Sequence, residues 1–147
     1  LPVPATQVHD RAALRRYVDR TIVLGIRPES MQDAALVPDA PTDRRIRSTV
    51  ELREALGHEV VAHFTIDAPP AMTEDVRELR ADIGPEALES STEHAQAGST
   101  TVLARLDPRT SVQKGDPIEV VVDTDALHFF DPADGSSIRD RAANGTD

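Results

Sequence analysis

The chain has 147 residues with 26 acidic against 16 basic side chains, a net charge of -10, only 3% aromatic residues and no cysteine. That balance argues against nucleic acid, whose binding rests on neutralising phosphates, and against an anchor on anionic lipid. The missing cysteines exclude a disulfide scaffold and a thiolate metal site, and no apolar run approaches the roughly 18 residues of a membrane span.

The length suits one domain with a modest core of Val, Ile, Leu and Ala. Nothing at the N-terminus reads as a signal peptide. A start at Leu1 without Met reads as a segment excised from a longer protein. Leu1 to Pro4 alternates apolar residues with proline, as an edge strand or extended arm does. His9 to Asp19 predicts a short amphipathic helix capped by Asp10, with Leu14, Tyr17 and Val18 on one face and Arg15 and Arg16 on another. Thr21 to Ile26 is a β-rich apolar run. Pro28 ends that strand and holds Arg27 extended, so an Arg27–Glu29 ion pair is expected to pin the next loop. From Glu29 to Arg45 the chain reads as a polar connection, with Asp33, Asp39 and Asp43 scattered without ligand spacing.

Ile46 to Leu56 and Glu59 to Ile66 predict two strands joined by a two-residue Gly57-His58 turn. Val50 and Leu52 are expected on one face of the first arm, and Val60, Ala62 and Phe64 on one face of the second. His58, Glu59 and His63 do not make a metalloprotease motif, which needs two His four apart on a helix. His58 is placed in the turn and His63 on the solvent side.

The stretch from about 67 to 100 reads as an acidic helical insertion. Ala68-Pro69-Pro70-Ala71 breaks the sheet, Met72, Val76, Leu79 and Ile83 recur at helical spacing, and Gly84-Pro85 stops the helix. A polar tether runs on to Gly98. The segment is a solvated insertion or, more pointedly, an element that docks a partner. Thr100 to Leu106 is the next strand, with turns after it at Asp107–Thr110 and Gln113–Pro117, where Gly115 supplies a positive φ. Ile118 to Val122 is an apolar run suited to a buried strand, and His128 to Phe130 a short final one. His128 is either a buried, hydrogen-bonded histidine, the default expectation, or an exposed signal-sensing one. Asp131 and Asp134 before Gly135 lack the acidic ladder and closing Glu of a calcium loop. Residues 140–147 read as a flexible tail.

No phosphate-binding loop, nucleophile elbow or paired carboxylate in an apolar setting occurs. The chain is therefore read as non-catalytic, with no metal or cofactor of its own.

Gly25-Ile26-Arg27-Pro28-Glu29 resembles the G-[IV]-R-P-E motif of the C-terminal regulatory domain of carbohydrate-importing ABC ATPases, the maltose/trehalose/glycerol-phosphate type. Ala104-Arg105-Leu106-Asp107-Pro108, Lys114-Gly115-Asp116 and His128-Phe129-Phe130-Asp131 with Gly135 are similar to that domain's last strands and its H-L-F-D-x-x-x-G ending. Phe129 stands where Leu is usual. The resemblance implies a mainly β, OB-like (TOBE/MOP-type) barrel with one or two short helices over residues 1–139. Gly25, Arg27, Pro28, Glu29, Arg105, Gly115, Asp116, His128, Phe130, Asp131 and Gly135 are then the motif residues, with structural or regulatory roles.

The implied function is that of a regulatory, dimer-contact domain of a sugar importer's ATPase subunit, cytoplasmic and peripheral on the inner face of the cell membrane. ATP and magnesium would bind a preceding nucleotide-binding domain absent from this chain. The implied partners are a second copy of the same domain, that nucleotide-binding domain, the transporter's membrane subunits through it, and a regulatory protein. The alternative is a module that senses a small molecule or oxyanion. A nucleic-acid-binding OB domain is opposed by the charge and the scarcity of stacking aromatics.

Overall fold

The fold is built around one long, bent strand. The computed structural model describes residues 1–71 and 98–139. Its elements are helix α1 (Ala5–Asp10) and strands β1 (Val23–Gly25), β2 (Met31–Asp33), β3 (Arg45–Ala55), β4 (Val60–Ile66), β5 (Thr100–Leu106), β6 (Pro117–Val122) and β7 (His128–Phe130). Five strands form an antiparallel sheet in the order β2-β6-β3-β4-β5, and β1 pairs β7 in a second, two-stranded sheet.

The bent strand is β3. Its first half, Arg45 to Thr49, pairs with β6, and its second half, from Val50 to Ala55, pairs with β4. A register shift between Val50 and Leu52 marks a bulge, which bends a strand and strengthens its twist. The sheet therefore curls, and β5 comes to lie against β2 and against the Pro28–Ser30 turn. This is the OB-like barrel expected from the sequence. The bulge also corrects one expectation. Val50 is 1% exposed but Leu52 is 45% exposed, because the extra residue turns Leu52 to the outer face.

The core fills the inside of the curl. Met31, Val50, Phe64, Leu106, Val120, Val122, Leu127 and Phe129 are its large buried side chains, with Ala62 and Ala104 letting neighbouring strands approach. Burial of each large residue contributes about 1.5–3 kcal/mol. Val60, Ala62 and Phe64 share the inner face as expected, and Ile118, Val120 and Val122 alternate inward on β6. The hairpin turn has Leu56 N donating to Glu59 O at 2.9 Å, with Gly57 at φ 83°.

Two stretches differ from expectation. The expected helix over His9–Asp19 is instead α1 followed by a 3-10 segment at Ala12–Tyr17, with Arg11 between them at φ -117° and ψ 86°. Asp10 is thus the last residue of α1. The break has a tertiary cause: Gln7 Nε2 donates to Asp125 O at 2.6 Å and Arg11 Nη1 to Leu127 O at 3.1 Å, tying both sides of the kink to the barrel. A helix this short has little stability of its own to oppose such anchors. Leu14 is buried, but Val18 is 61% exposed and is not part of the core. Leu1 to Pro4 is an arm outside any strand, and the Thr21–Ile26 run narrows to β1.

The second difference is β2, which lies inside the expected polar connection. Met31 and Asp33 point inward and are both buried. Asp33 Oδ2 accepts from the Thr110 hydroxyl at 2.5 Å, and Oδ1 from Ala35 N at 2.9 Å. The expected helix after Met72, most of the tether and the tail at 140–147 lie outside the described residues.

Candidate functional site

The β1–β7 sheet joins the two ends of the sequence that carry chemistry. Val23 faces Phe130, Leu24 faces Phe129 and Gly25 faces His128. A Cβ on Gly25 would lie 2.8 Å from Phe130 Cε2 and 3.3 Å from His128 Cβ, so glycine is needed here for close approach of the ring. Phe129 is 1% exposed and belongs to the core, with the Arg11 guanidinium 5.2 Å above its ring centroid. Such stacking adds a cation–π attraction. His128 is half-buried rather than buried.

After β7 the chain turns back on itself. Gly135 N donates to Asp131 O at 2.9 Å, Asp131 N to Ser136 O at 2.9 Å and Ile138 N to Phe129 O at 2.8 Å. Gly135 sits at φ 71°. Asp131 accepts from the Tyr17 hydroxyl at 2.6 Å and from Ala133 N at 2.8 Å. Asp134 accepts from Ser136 N at 2.9 Å, and the Ser136 hydrogen bonds hold its carboxyl below the usual range. Asp134 thus serves its own turn, and Asp131 ties that turn to Tyr17. Among the described residues no group of three or more His, Asp or Glu is arranged to hold a metal.

Arg27 is extended at φ -75° and ψ 142°, and Pro28 opens the next 3-10 turn, as the sequence predicts. The expected Arg27–Glu29 ion pair does not form. Among the described residues Arg27 holds no carboxylate, while the charge of Glu29 acts on Arg105. Arg105 Nη2 lies 2.7 Å from Glu59 Oε2. The Glu59 hydrogen bond, more than Glu29, raises the Arg105 pKa. The Pro28–Ser30 turn packs against β5, and the motif does not close on itself.

Gly115 and Asp116 do separate work. Gly115, at φ 89°, donates its N–H to Val50 O at 2.8 Å, and Asp116 Oδ2 accepts from Gln113 N at 2.9 Å. They fix the turn that enters β6. The motif residues therefore divide among the β1–β7 sheet with its turn, the β5 edge and the 113–117 turn.

Sequence reasoning gave Tyr17 and Asp33 no bonding role and did not single out Arg11 or a cluster around Glu119. There Glu119 accepts from Arg45 at 2.7 Å and from Arg47 at 2.6 Å, which lowers its pKa, Arg45 first. Arg45 also donates to Pro38 O and Ala40 O, tying down the 34–41 loop. Only the alternating charges of Arg45, Arg47 and Glu119 could have signalled it. His63 Nε2 lies 2.9 Å from Glu54 Oε2 on the outer face, and His58 is exposed in its turn.

The structure is thus an OB-like curl whose two motif-bearing ends pair in one small sheet. No family model matches the chain. It is 31% identical over 122 residues to the trehalose import ATP-binding protein SugC of Mycobacterium tuberculosis, covering 80% of this chain and 28% of that protein. It is 24% identical over 115 residues to the oligosaccharides import ATP-binding protein MsmX of Bacillus subtilis, covering 78% and 23%. To the trehalose/maltose import ATP-binding protein MalK of Thermococcus litoralis it is 25% identical over 123 residues, covering 83% and 25%. The chain spans about a quarter of the length of these curated relatives. It is a homologue of sugar-import ATP-binding proteins, consistent with a C-terminal domain of such an ATPase. No helix among the described residues is long and apolar enough to cross a membrane.

Proposed function

We propose that this chain is the regulatory and dimer-contact domain of the ATP-hydrolysing subunit of a sugar importer, itself without catalytic residues. The observation that carries this reading is homology over four-fifths of the chain to sugar-import ATP-binding proteins. The pairing of the Gly25 and His128 stretches in one small sheet supports it, since both motifs then serve one structure.

In this reading ATP and magnesium bind a nucleotide-binding domain outside this chain, which also engages the membrane subunits at the inner face of the membrane. Two copies of the barrel hold the ATPase halves together while the nucleotide sites open and close. A regulatory protein that bound one of those arrangements better would shift the equilibrium toward it, and ATP turnover would change with it.

The test is the intact mass of the native protein, with peptide coverage upstream of Leu1. A mass more than twice 16.0 kDa with an upstream G-x-x-x-x-G-K-[ST] peptide is expected. A native mass near 16.0 kDa removes the motor and overturns the reading. On the longer protein, sedimentation without nucleotide is expected to show a dimer that is lost when the barrel is removed.

A further inference from the structure

A groove of about 450 Å³ opens beside the β1–β7 sheet, lined by Arg11, Arg27, His128, Phe129, Ser137, Ile138 and Arg139. Three guanidinium groups and an imidazole share it, and no carboxylate is among the lining residues. That is unusual in a chain of net charge -10, whose overall field repels anions. Elsewhere on the barrel Arg45, Arg47, Arg105 and Arg109 each hold a carboxylate. Among the described residues Arg11, Arg27 and Arg139 hold none, nor do Arg15, Arg16, Arg20 and Arg53, but the first three share one groove.

Each of the three is placed by the fold. Arg11 is fixed by its bond to Leu127 O and by the Phe129 ring beneath it. Arg139 is oriented by donating from Nε to Ser137 Oγ at 2.9 Å, and among the described residues its two terminal nitrogens hold no acceptor. Arg27 is held extended by Pro28 at the end of β1. The charge is thus concentrated by backbone and ring contacts, and among the described residues no acidic side chain neutralises it. Planar guanidinium forks match the oxygens of a phosphate group in pairs, and three of them suit a group carrying about two negative charges. The groove is larger than a bare phosphate needs, and Phe129 and Ile138 give it an apolar wall.

We propose that this groove binds the phosphate group of a small metabolite, with Arg11, Arg27 and Arg139 as its ligands. The site lies wholly within this chain, so it stands whether or not the chain belongs to a transporter. Free phosphate and a phosphate monoester share the chemistry, and the apolar wall favours the monoester.

The experiment titrates the full 147-residue chain with inorganic phosphate, glycerol 2-phosphate and, as a neutral control, glycerol, at constant ionic strength. Binding is read by calorimetry and by amide shifts. Saturable binding of both phosphates is expected, the monoester tighter, with shifts centred on Arg27, His128 and Arg139. Arg27→Gln and Arg139→Gln each remove a charge-assisted bond at an exposed position, so each weakens binding about tenfold. Arg47→Gln, outside the groove, leaves it unchanged. If neither phosphate binds saturably, or if Arg47→Gln weakens binding as much as Arg27→Gln, the groove is no site and the proposal fails. Tighter binding of free phosphate than of the monoester keeps the anion site and overturns its assignment to a metabolite.

Discussion

Gly25→Ala tests why the first motif begins with glycine. In an ordinary strand this change stabilises by roughly 0.5–1 kcal/mol, since alanine has less backbone freedom to lose on folding. Here the added carbon meets Phe130 Cε2 at 2.8 Å and His128 Cβ at 3.3 Å. The His128 atom is fixed to the facing strand and retreats only if β7 moves. The ring edge of half-buried Phe130 must shift as well. Overpacking of this kind costs about 1–3 kcal/mol, so the sign reverses and a net loss of about 1–2 kcal/mol remains. Urea unfolding of the full chain is expected to show a lower midpoint with an unchanged slope. Amide exchange at Leu24 and Phe129 is expected to quicken, because the β1–β7 sheet has only three paired positions on each strand. In a Phe130→Leu background the ring edge is gone, and the cost of Gly25→Ala should fall below about 0.5 kcal/mol. A midpoint equal to or above that of the parent chain, or the same cost in both backgrounds, would refute the close-approach argument.

Tyr17 is the chain's only tyrosine, and there is no tryptophan, so ultraviolet titration reads it alone. Its hydrogen bond to Asp131, then partial burial, raises its pKa above the usual 10.0. The associated stability is complete below the unfolded value and is lost as pH rises through the folded one. Asp131→Asn should move the midpoint back toward 10.0, and a wild-type midpoint already there would count against the bond. Asp107 behaves with the opposite sign: the Arg109 side chain, then its backbone N–H, lowers the carboxyl to about 2 from 3.8. Its contribution is present above the unfolded value and disappears as pH falls toward 2, and carboxyl NMR in wild type and Arg109→Gln measures the shift. Asp33→Ala strands the Thr110 hydroxyl and the Ala35 amide, and is expected to cost about 1–3 kcal/mol in urea unfolding. Thr110→Val in that background should recover part of the loss.

What was legible in the sequence was whatever local pattern decides. The hairpin at Gly57-His58, β5, β6 and the Gly115 turn were read from alternation and turn chemistry, and the structure has them. What was hidden is what distant partners decide. Met31–Asp33 is too short to show a period, and it is a strand only because β6 offers a ladder to pair with. The kink at Arg11 exists because Asp125 O and Leu127 O, more than a hundred residues away, accept bonds from Gln7 and Arg11. Leu52 obeys the alternation rule locally and is exposed because one bulge shifts the register. The candidate site suffered the same division. The Gly25 and His128 stretches were both visible, but nothing local reveals that they pair, or that Arg27 and Glu29 form no ion pair.

That misassigned pair clarifies how charge is used in the barrel. An Arg27–Glu29 bridge would have neutralised both groups within one turn. The Glu29 charge is felt weakly at Arg105 of β5, whose main partner is Glu59, just before β4. Arg27 is then left lining the groove with no carboxylate beside it among the described residues. Pro28 makes this separation possible, because it sets Arg27 in an extended conformation and starts a new turn before Glu29. The same five residues therefore supply a turn packed against β5 and an unneutralised cation. If that packing alone mattered, Arg27→Gln would be silent in every assay. If the cation matters, the loss appears in phosphate binding while stability is unchanged, since an exposed arginine with no acidic partner contributes little to folding.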